Sequence, residues 1–163
     1  MEEQFKFCID SSTLIDIGKI YPKELVPQIW KILEKLYEEG RLIAPKEVFF
    51  ELQKIDDEIS KWARDHEDIF VEVDEEQIKN LRLIYQSCPA FAEPERMPPH
   101  ADPWIITLAM KENETYKRGE SKFPCAVVTA ERLKPNCLKI PNVCQTFGIK
   151  CFSLFDFWKL ENK

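Results

Sequence analysis

No window of the 163-residue chain approaches the roughly 18 consecutive apolar residues that a membrane-spanning helix requires. The opening M-E-E-Q-F-K has neither the basic start nor the long apolar stretch of a secretory signal, so the expectation is a cytoplasmic protein with no membrane partner. An excess of positive charge is also missing: 29 Asp and Glu stand against 23 Lys and Arg, with a pI near 5.1. Coating nucleic acid by bulk electrostatics needs Lys and Arg at the phosphates, so any such contact has to be local or bridged by metal. The six Cys include no C-x-x-C pair, and no His stands near them at finger spacing, which argues against structural zinc. Cys8, Cys125 and Cys151 sit in apolar runs instead, where a free thiol packs as a small hydrophobe. Internal repeats, low-complexity tracts and linkers are absent too, and with 44% hydrophobic residues the length suits one domain over 1–163.

The chain does carry short apolar runs alternating with amphipathic stretches. Phe5 to Ile9 reads as a buried strand that delivers Asp-Ser-Ser at its end, where a helix should start. Leu25, Val26, Ile29, Ile32, Leu33, Leu36 and Tyr37 share a helical face, and Gly40 stops that helix. Leu42 to Ala44 is a second strand, and Pro45 suits the first turn of a helix carrying Val48, Phe49 and Leu52 inward. Another helix covers Asp57 to Arg64. After the apolar stretch Ile69 to Val73, Asp74 can cap a helix with a buried stripe of Ile78, Leu81 and Tyr85. Ser87 to His100 holds four prolines and reads as a long loop. Asp102-Pro103 opens a helix through Trp104, Ile105, Leu108 and Ala109, followed by a polar stretch from Lys111 to Lys122 and a strand from Cys125 to Thr129. A short helix around Val143 precedes a last strand, Ile149 to Phe152. Such alternation predicts a three-layer α/β/α sandwich with a largely parallel central sheet, because parallel neighbours need helical crossovers.

In open parallel sheets, functional groups collect beyond the carboxyl ends of the strands. Asp10 follows the first strand, Glu131 follows the strand ending V-V-T, Asp102 begins a helix, and Glu51 lies on the helix after the second strand. Singly, each acid has an ordinary reading as a helix cap or solvated surface charge. Four acids on one rim repel one another unless they are protonated or neutralised by cations. A hard divalent ion that prefers oxygen ligands supplies that neutralisation, and phosphodiester hydrolysis is the natural reaction of such a site.

Four runs carry a resemblance. F-C-I-D-S-S-T-L-I-D, A-P-K-E-V-F-F-E-L, H-A-D-P-W-I-I-T-L-A and V-V-T-A-E-R-L resemble, in order, the acidic motifs of PIN domains, a superfamily of metal-dependent ribonucleases, in a prokaryotic branch of it. The resemblance implies a single-strand endoribonuclease holding Mg²⁺ or Mn²⁺ on Asp10, Glu51, Asp102 and Glu131, with Ser12 and Thr129 supporting the ligands from behind. It allows a toxin paired with an antitoxin protein or an RNA-processing enzyme, and a silent PIN-like module that binds RNA or protein stays open beside them. Glu131 is a departure, standing where the family has Asp and one methylene longer. Glu47, one turn before Glu51, is the alternative at the second position. A haloacid-dehalogenase phosphatase also begins with a strand ending in Asp, but needs a second Asp where Ser12 stands. A receiver domain needs an acidic pair after the first strand, which is lacking.

Other residues have lesser roles in this reading. Asp16 reads as surface charge, and His100 as a loop residue near Asp102. Arg96, Lys111, Lys117, Arg118, Lys122, Arg132 and Lys134 are candidate phosphate contacts near the rim. Trp30, Trp62, Trp104 and Trp158 read as core anchors, and Phe91 as the better base-stacking candidate. The run S-L-F-D-F-W-K-L either closes the core or supplies a homodimer contact.

Overall fold

The apolar runs pair as parallel strands because each is joined to the next by helix, and the two longest-paired of them, Lys6–Ile9 and Cys125–Val128, lie side by side in the sheet. The computed structural model describes residues 2–91, 102–133 and 139–163. Within these, β1 (Lys6–Ile9), β2 (Leu42–Pro45), β3 (Phe70–Val71), β4 (Cys125–Val128) and β5 (Cys151–Phe152) form a five-stranded sheet in the order β3-β2-β1-β4-β5, every pairing parallel. β1 is central, and Phe7, Cys8 and Ile9 are fully buried, as both-face coverage of a parallel strand requires.

Successive strand residues point to opposite faces, and β1 shows what lies on each. Phe7 packs edge-on against Phe157 of α8 (Leu154–Glu161), with ring centroids 5.0 Å apart. The next residue, Cys8, directs its thiol to the Ile105 carbonyl of α6 (Asp102–Lys117) at 3.6 Å. The helices α8 and α6 therefore cover opposite faces, which makes the three layers. α2 (Pro27–Glu38) joins α8 on its side, while α5 (Glu75–Ser87) and α7 (Ile140–Thr146) flank α6. α1 (Ser11–Ile20) packs against α3 (Lys46–Gln53) and α4 (Glu58–Asp65). Among the described residues, no helix is long and apolar enough to cross a membrane.

Several expectations change. Pro45 closes β2 and stands as the N-cap of α3 rather than in its first turn. Leu25 precedes α2 and is largely exposed. The buried residues of α5 are Gln77, Asn80 and Ile84, while Ile78 and Tyr85 are exposed, so the stripe expected from the apolar spacing is rotated. The cause is a polar seam with α6: Asn80 donates to the Thr107 carbonyl at 3.2 Å, and the Thr107 hydroxyl donates to Gln77 Oε1 at 3.3 Å. The stretch from Lys111 onward continues α6 to Lys117, since its residues are good helix formers anchored by Lys6–Glu112 and Lys111–Asp74 ion pairs. Phe91 is 1% exposed and belongs to the core, not to a stacking surface. Trp30 and Trp62 are buried and Trp104 and Trp158 half-buried; Phe157 closes the core from the C-terminal run, while Phe155 stays exposed.

The seam between α1 and α4 is close enough to demand glycine. A Cβ on Gly18 meets both Ile59 Cβ and Ile59 Cγ2 at 2.9 Å, atoms near the backbone of α4 that cannot swing aside. Gly18→Ala is expected to cost about 1–3 kcal/mol in urea denaturation, the range for overpacking a tight contact.

Candidate metal centre at the switch point of the sheet

The order β3-β2-β1-β4-β5 reverses direction between β1 and β4: the chain leaves β1 toward β2 on one side, and β4 lies on the other. Connections diverging at such a point leave a crevice beyond the carboxyl ends of the two strands. Asp10 follows β1 there and Thr129 follows β4.

Asp10 is 3% exposed and caps α1, Oδ1 accepting the Thr13 amide at 2.9 Å. Its Oδ2 accepts the hydroxyls of Ser12 at 2.7 Å and Thr129 at 2.5 Å. The cap reading of Asp10 thus holds, yet it uses one oxygen of two, and the second gathers hydroxyls from both strand ends. Among the described residues, no ion pair reaches this carboxylate. Burial pushes the Asp10 carboxyl above its ordinary range, and the hydrogen bonds from Thr129, Thr13 and Ser12 pull the other way.

Thr129 also ties in Glu131, its hydroxyl accepting the Glu131 amide at 3.1 Å. The Glu131 side chain turns to the first amide of α7, accepting from Ile140 N at 2.8 Å. Glu51 approaches from the other side, where the hydroxyl of Ser11, beside Asp10, donates to its Oε2. One turn back on α3, Glu47 keeps Oε2 buried and, among the described residues, without a hydrogen-bond partner. Burial pushes the Glu47 carboxyl up, its own amide lowers it, and the like charge of Glu51 adds to the rise.

Asp102 reaches the same edge through the direction of α6. Lys6 Nζ bonds Glu112 at 2.9 Å, and Cys8 bonds Ile105 at 3.6 Å, so α6 runs antiparallel to β1. Going on from Cys8 to Asp10 advances roughly 7 Å along the strand, and from Ile105 to Asp102 roughly 4.5 Å along the helix. Both acids therefore end at the carboxyl edge of the sheet.

As placed, the acids line this edge without closing on one point: among the described residues, no group of three or more His, Cys, Asp or Glu side chains stands close enough to hold a metal ion. The fit to a divalent cation rests on donor chemistry. Asp10 is a buried carboxylate satisfied only by neutral donors among the described residues, Glu51 and Glu47 bring like charge to each other on α3, and all the candidate donors are hard oxygens.

The basic candidates distribute differently from expectation. Lys117 lines a cavity of about 410 Å³ with Phe5, Pro124 and Lys150, at the amino edge of the sheet. Lys122 precedes β4, Lys111 pairs with Asp74, and Arg118 pairs with Glu120 and Glu76, so these four lie away from the acids. They miss the rim because α6 is longer than expected and carries them to its far end. Arg132 stays at the acidic edge and is exposed. Arg96, His100 and Lys134 lie outside the described residues. Reading the sequence missed the Ser11–Glu51 bond and the bridging position of Thr13 and Ile140 amides; the S-S-T run after Asp10 was the available signal.

No curated protein and no solved structure matches the chain. Residues 7–163 match a family described as a domain of unknown function, DUF4411. Since that match takes in β1 through α8, the acidic edge included, the chain belongs to this family.

Proposed function

We propose that the protein is a PIN-type, divalent-metal-dependent endoribonuclease that hydrolyses phosphodiester bonds of single-stranded RNA at the edge of the sheet bearing Asp10. The observation that carries this reading is the Asp10 carboxylate: buried at the switch point, hydroxyl-bonded on one oxygen, and without a cationic side chain among the described residues to balance it. Asp10 and Asp102 are its principal metal-holding groups, Glu51 completes the site or orients water, and Glu131 supports a second position. Bound Mg²⁺ or Mn²⁺ supplies positive charge against the scissile phosphate and makes water a competent nucleophile. The chain's own part is to aim oxygen donors: Ser12 and Thr129 fix Asp10 and Ser11 fixes Glu51, while the exposed Arg132 is the candidate contact for a phosphate of the strand.

The experiment is hydrolysis of labelled single-stranded RNA with Mn²⁺, comparing wild type with Asp10→Asn. Cleavage by wild type that the variant loses supports the reading. A second reading, a silent PIN-like module binding RNA or protein, is favoured by the commitment of the Glu131 carboxylate to the Ile140 amide. RNA bound by wild type but left intact at any Mn²⁺ concentration selects it.

Thr129 offers a separate check. Thr129→Val keeps the shape but removes the hydroxyl that donates to Asp10 and accepts from Glu131. Loss of such an outer partner typically weakens metal affinity by about 10–100-fold. That drop should appear in Mn²⁺ titrations of a variant with unchanged circular dichroism; equal affinity in the two proteins would remove Thr129 from the site.

A further inference from the structure

His66 is 9% exposed and stands where α4 ends, enclosed by its own helix and by α2. Its Nδ1 lies 2.7 Å from the Trp62 carbonyl, and its Nε2 lies 2.7 Å from Glu34 Oε1, the oxygen that also accepts the Trp62 indole N–H at 3.1 Å. The ring stacks on Trp62, with centroids 4.4 Å apart and planes 20° from parallel, and it meets the Tyr37 ring nearly at right angles at 4.6 Å. Both ring nitrogens are thus spoken for.

A carbonyl and a carboxylate oxygen only accept, so each of these contacts asks the ring for an N–H. Neutral imidazole has one N–H, and whichever oxygen it serves, the other then faces a ring lone pair at 2.7 Å. The imidazolium satisfies both oxygens, and its charge is favoured by the Glu34 carboxylate and by the face of Trp62. The remaining charges are engaged elsewhere or turned to solvent. On the single 3-10 turn Glu67–Ile69, Glu67 pairs with Lys46 at 3.0 Å and Asp68 accepts the Tyr37 hydroxyl at 3.0 Å. On α4, Arg64 turns to Gln53 and Ser60, and Asp65 is exposed.

The backbone of His66 joins two elements. Its amide donates to the Ala63 carbonyl at 3.2 Å and its carbonyl accepts the Ile69 amide at 3.2 Å, so the residue ends α4 and starts the turn that leads into β3. β3 pairs with β2, and Phe70 packs on Phe49 of α3 with ring centroids 5.3 Å apart. We propose that His66 is a pH-sensitive latch: doubly protonated, it ties the end of α4 to α2, and loss of the second proton as pH rises frees the Glu67–Ile69 turn and β3 to open. The latch goes beyond the nuclease reading, since Glu34, Tyr37, Trp62 and His66 have no part in the metal chemistry proposed for the acidic edge.

The test follows the His66 ring and the Ile69 amide by NMR in the full-length, metal-free protein, from about pH 5 to about pH 8, the span in which imidazoles change charge. The ring should show two N–H groups at the acid end and one after it titrates. Exchange of the Ile69 amide, corrected for its intrinsic rise with pH, should quicken at least about tenfold at the same midpoint, the order of losing one charge-assisted hydrogen bond. His66→Gln should lack that step. So should Glu34→Gln, whose amide can accept from the ring or donate to it, and which serves alone if His66→Gln does not fold. A ring that does not titrate in this range, a titration with no step in Ile69 exchange, or a step that persists in Glu34→Gln would each overturn the proposal. These readouts need neither metal nor RNA, so their failure is distinguishable from failure of the nuclease reading.

Discussion

Asp10→Asn is expected to lose Mn²⁺-dependent RNA cleavage by at least about 100-fold, the order reached when a group essential to such chemistry is removed, while becoming more stable than wild type without metal. The two effects come from one fact. Asp10 is buried with neutral donors and no cationic side chain among the described residues, so its folded-state pKa lies above its ordinary value. A raised carboxyl pKa means that the native state binds the proton more tightly than the unfolded chain. The charged form then penalises the native state at neutral pH, and the penalty is relieved as pH falls through the raised folded-state pKa toward the ordinary value. Metal-free wild type should therefore gain stability on mild acidification, before the remaining carboxylates titrate, and Asp10→Asn should lack that gain. Asn keeps an oxygen for the Thr13 amide, so the cap on α1 survives. Urea melts at two pH values on both proteins check this. A variant less stable than wild type at neutral pH would show that the Asp10 charge is already compensated.

Glu161→Ala should destabilise the fold by about 3 kcal/mol, the lower end of the cost of leaving one partner of a buried ion pair uncompensated. Arg41 is 1% exposed and Glu161 7% exposed, and Arg41 Nη2 meets Glu161 Oε1 at 2.7 Å. The guanidinium also donates to the Phe5 carbonyl at 2.8 Å and pairs with Glu39 at 2.7 Å, and it lies over the rings of Phe7 and Phe123. Those remaining partners keep the cost from the upper end. For a chain of this length the loss corresponds to a fall in Tm of roughly 6–12 °C. Replacing both residues by apolar ones of similar volume should recover most of it. A Tm unchanged in the single variant would mean that Arg41 is satisfied without the last helix.

The two central strands were legible because each is a short apolar run buried on both faces; Phe5 to Ile9 and Cys125 to Thr129 needed no tertiary knowledge to read, whereas the last strand, expected from Ile149, is the shorter Cys151–Phe152 at the half-buried edge. The first helix was legible from Asp-Ser-Ser, since small polar residues after a strand compete to cap. The face of α5 was not. Apolar spacing points at Ile78 and Tyr85, but the partner helix offers Thr107, and a Gln and an Asn answer it; such a polar seam has no signature in either helix alone. The length of α6 was hidden for a related reason, because Lys111 and Glu112 are held by Asp74 and Lys6, far away in sequence. The Arg41–Glu161 pair spans most of the chain and reads as two surface charges until the junction of α2 and β2 is seen to pack against α8.

At the acidic edge, Asp10 was legible from position and Thr129 from the strand it ends. What could not be read was how the partners divide: Ser12 and Thr129 converge on one oxygen of Asp10, while Ser11 turns to Glu51. The 87–100 segment falls mostly outside the described residues, and with it the surroundings of His100.

Calorimetric titration of Mn²⁺ into the reduced protein, alongside Asp10→Asn and Asp102→Asn, tests the central claim most directly. Saturable binding by wild type that either substitution abolishes is the predicted result; no heat from wild type, or equal affinity in all three proteins, would contradict a cation shared by these carboxylates.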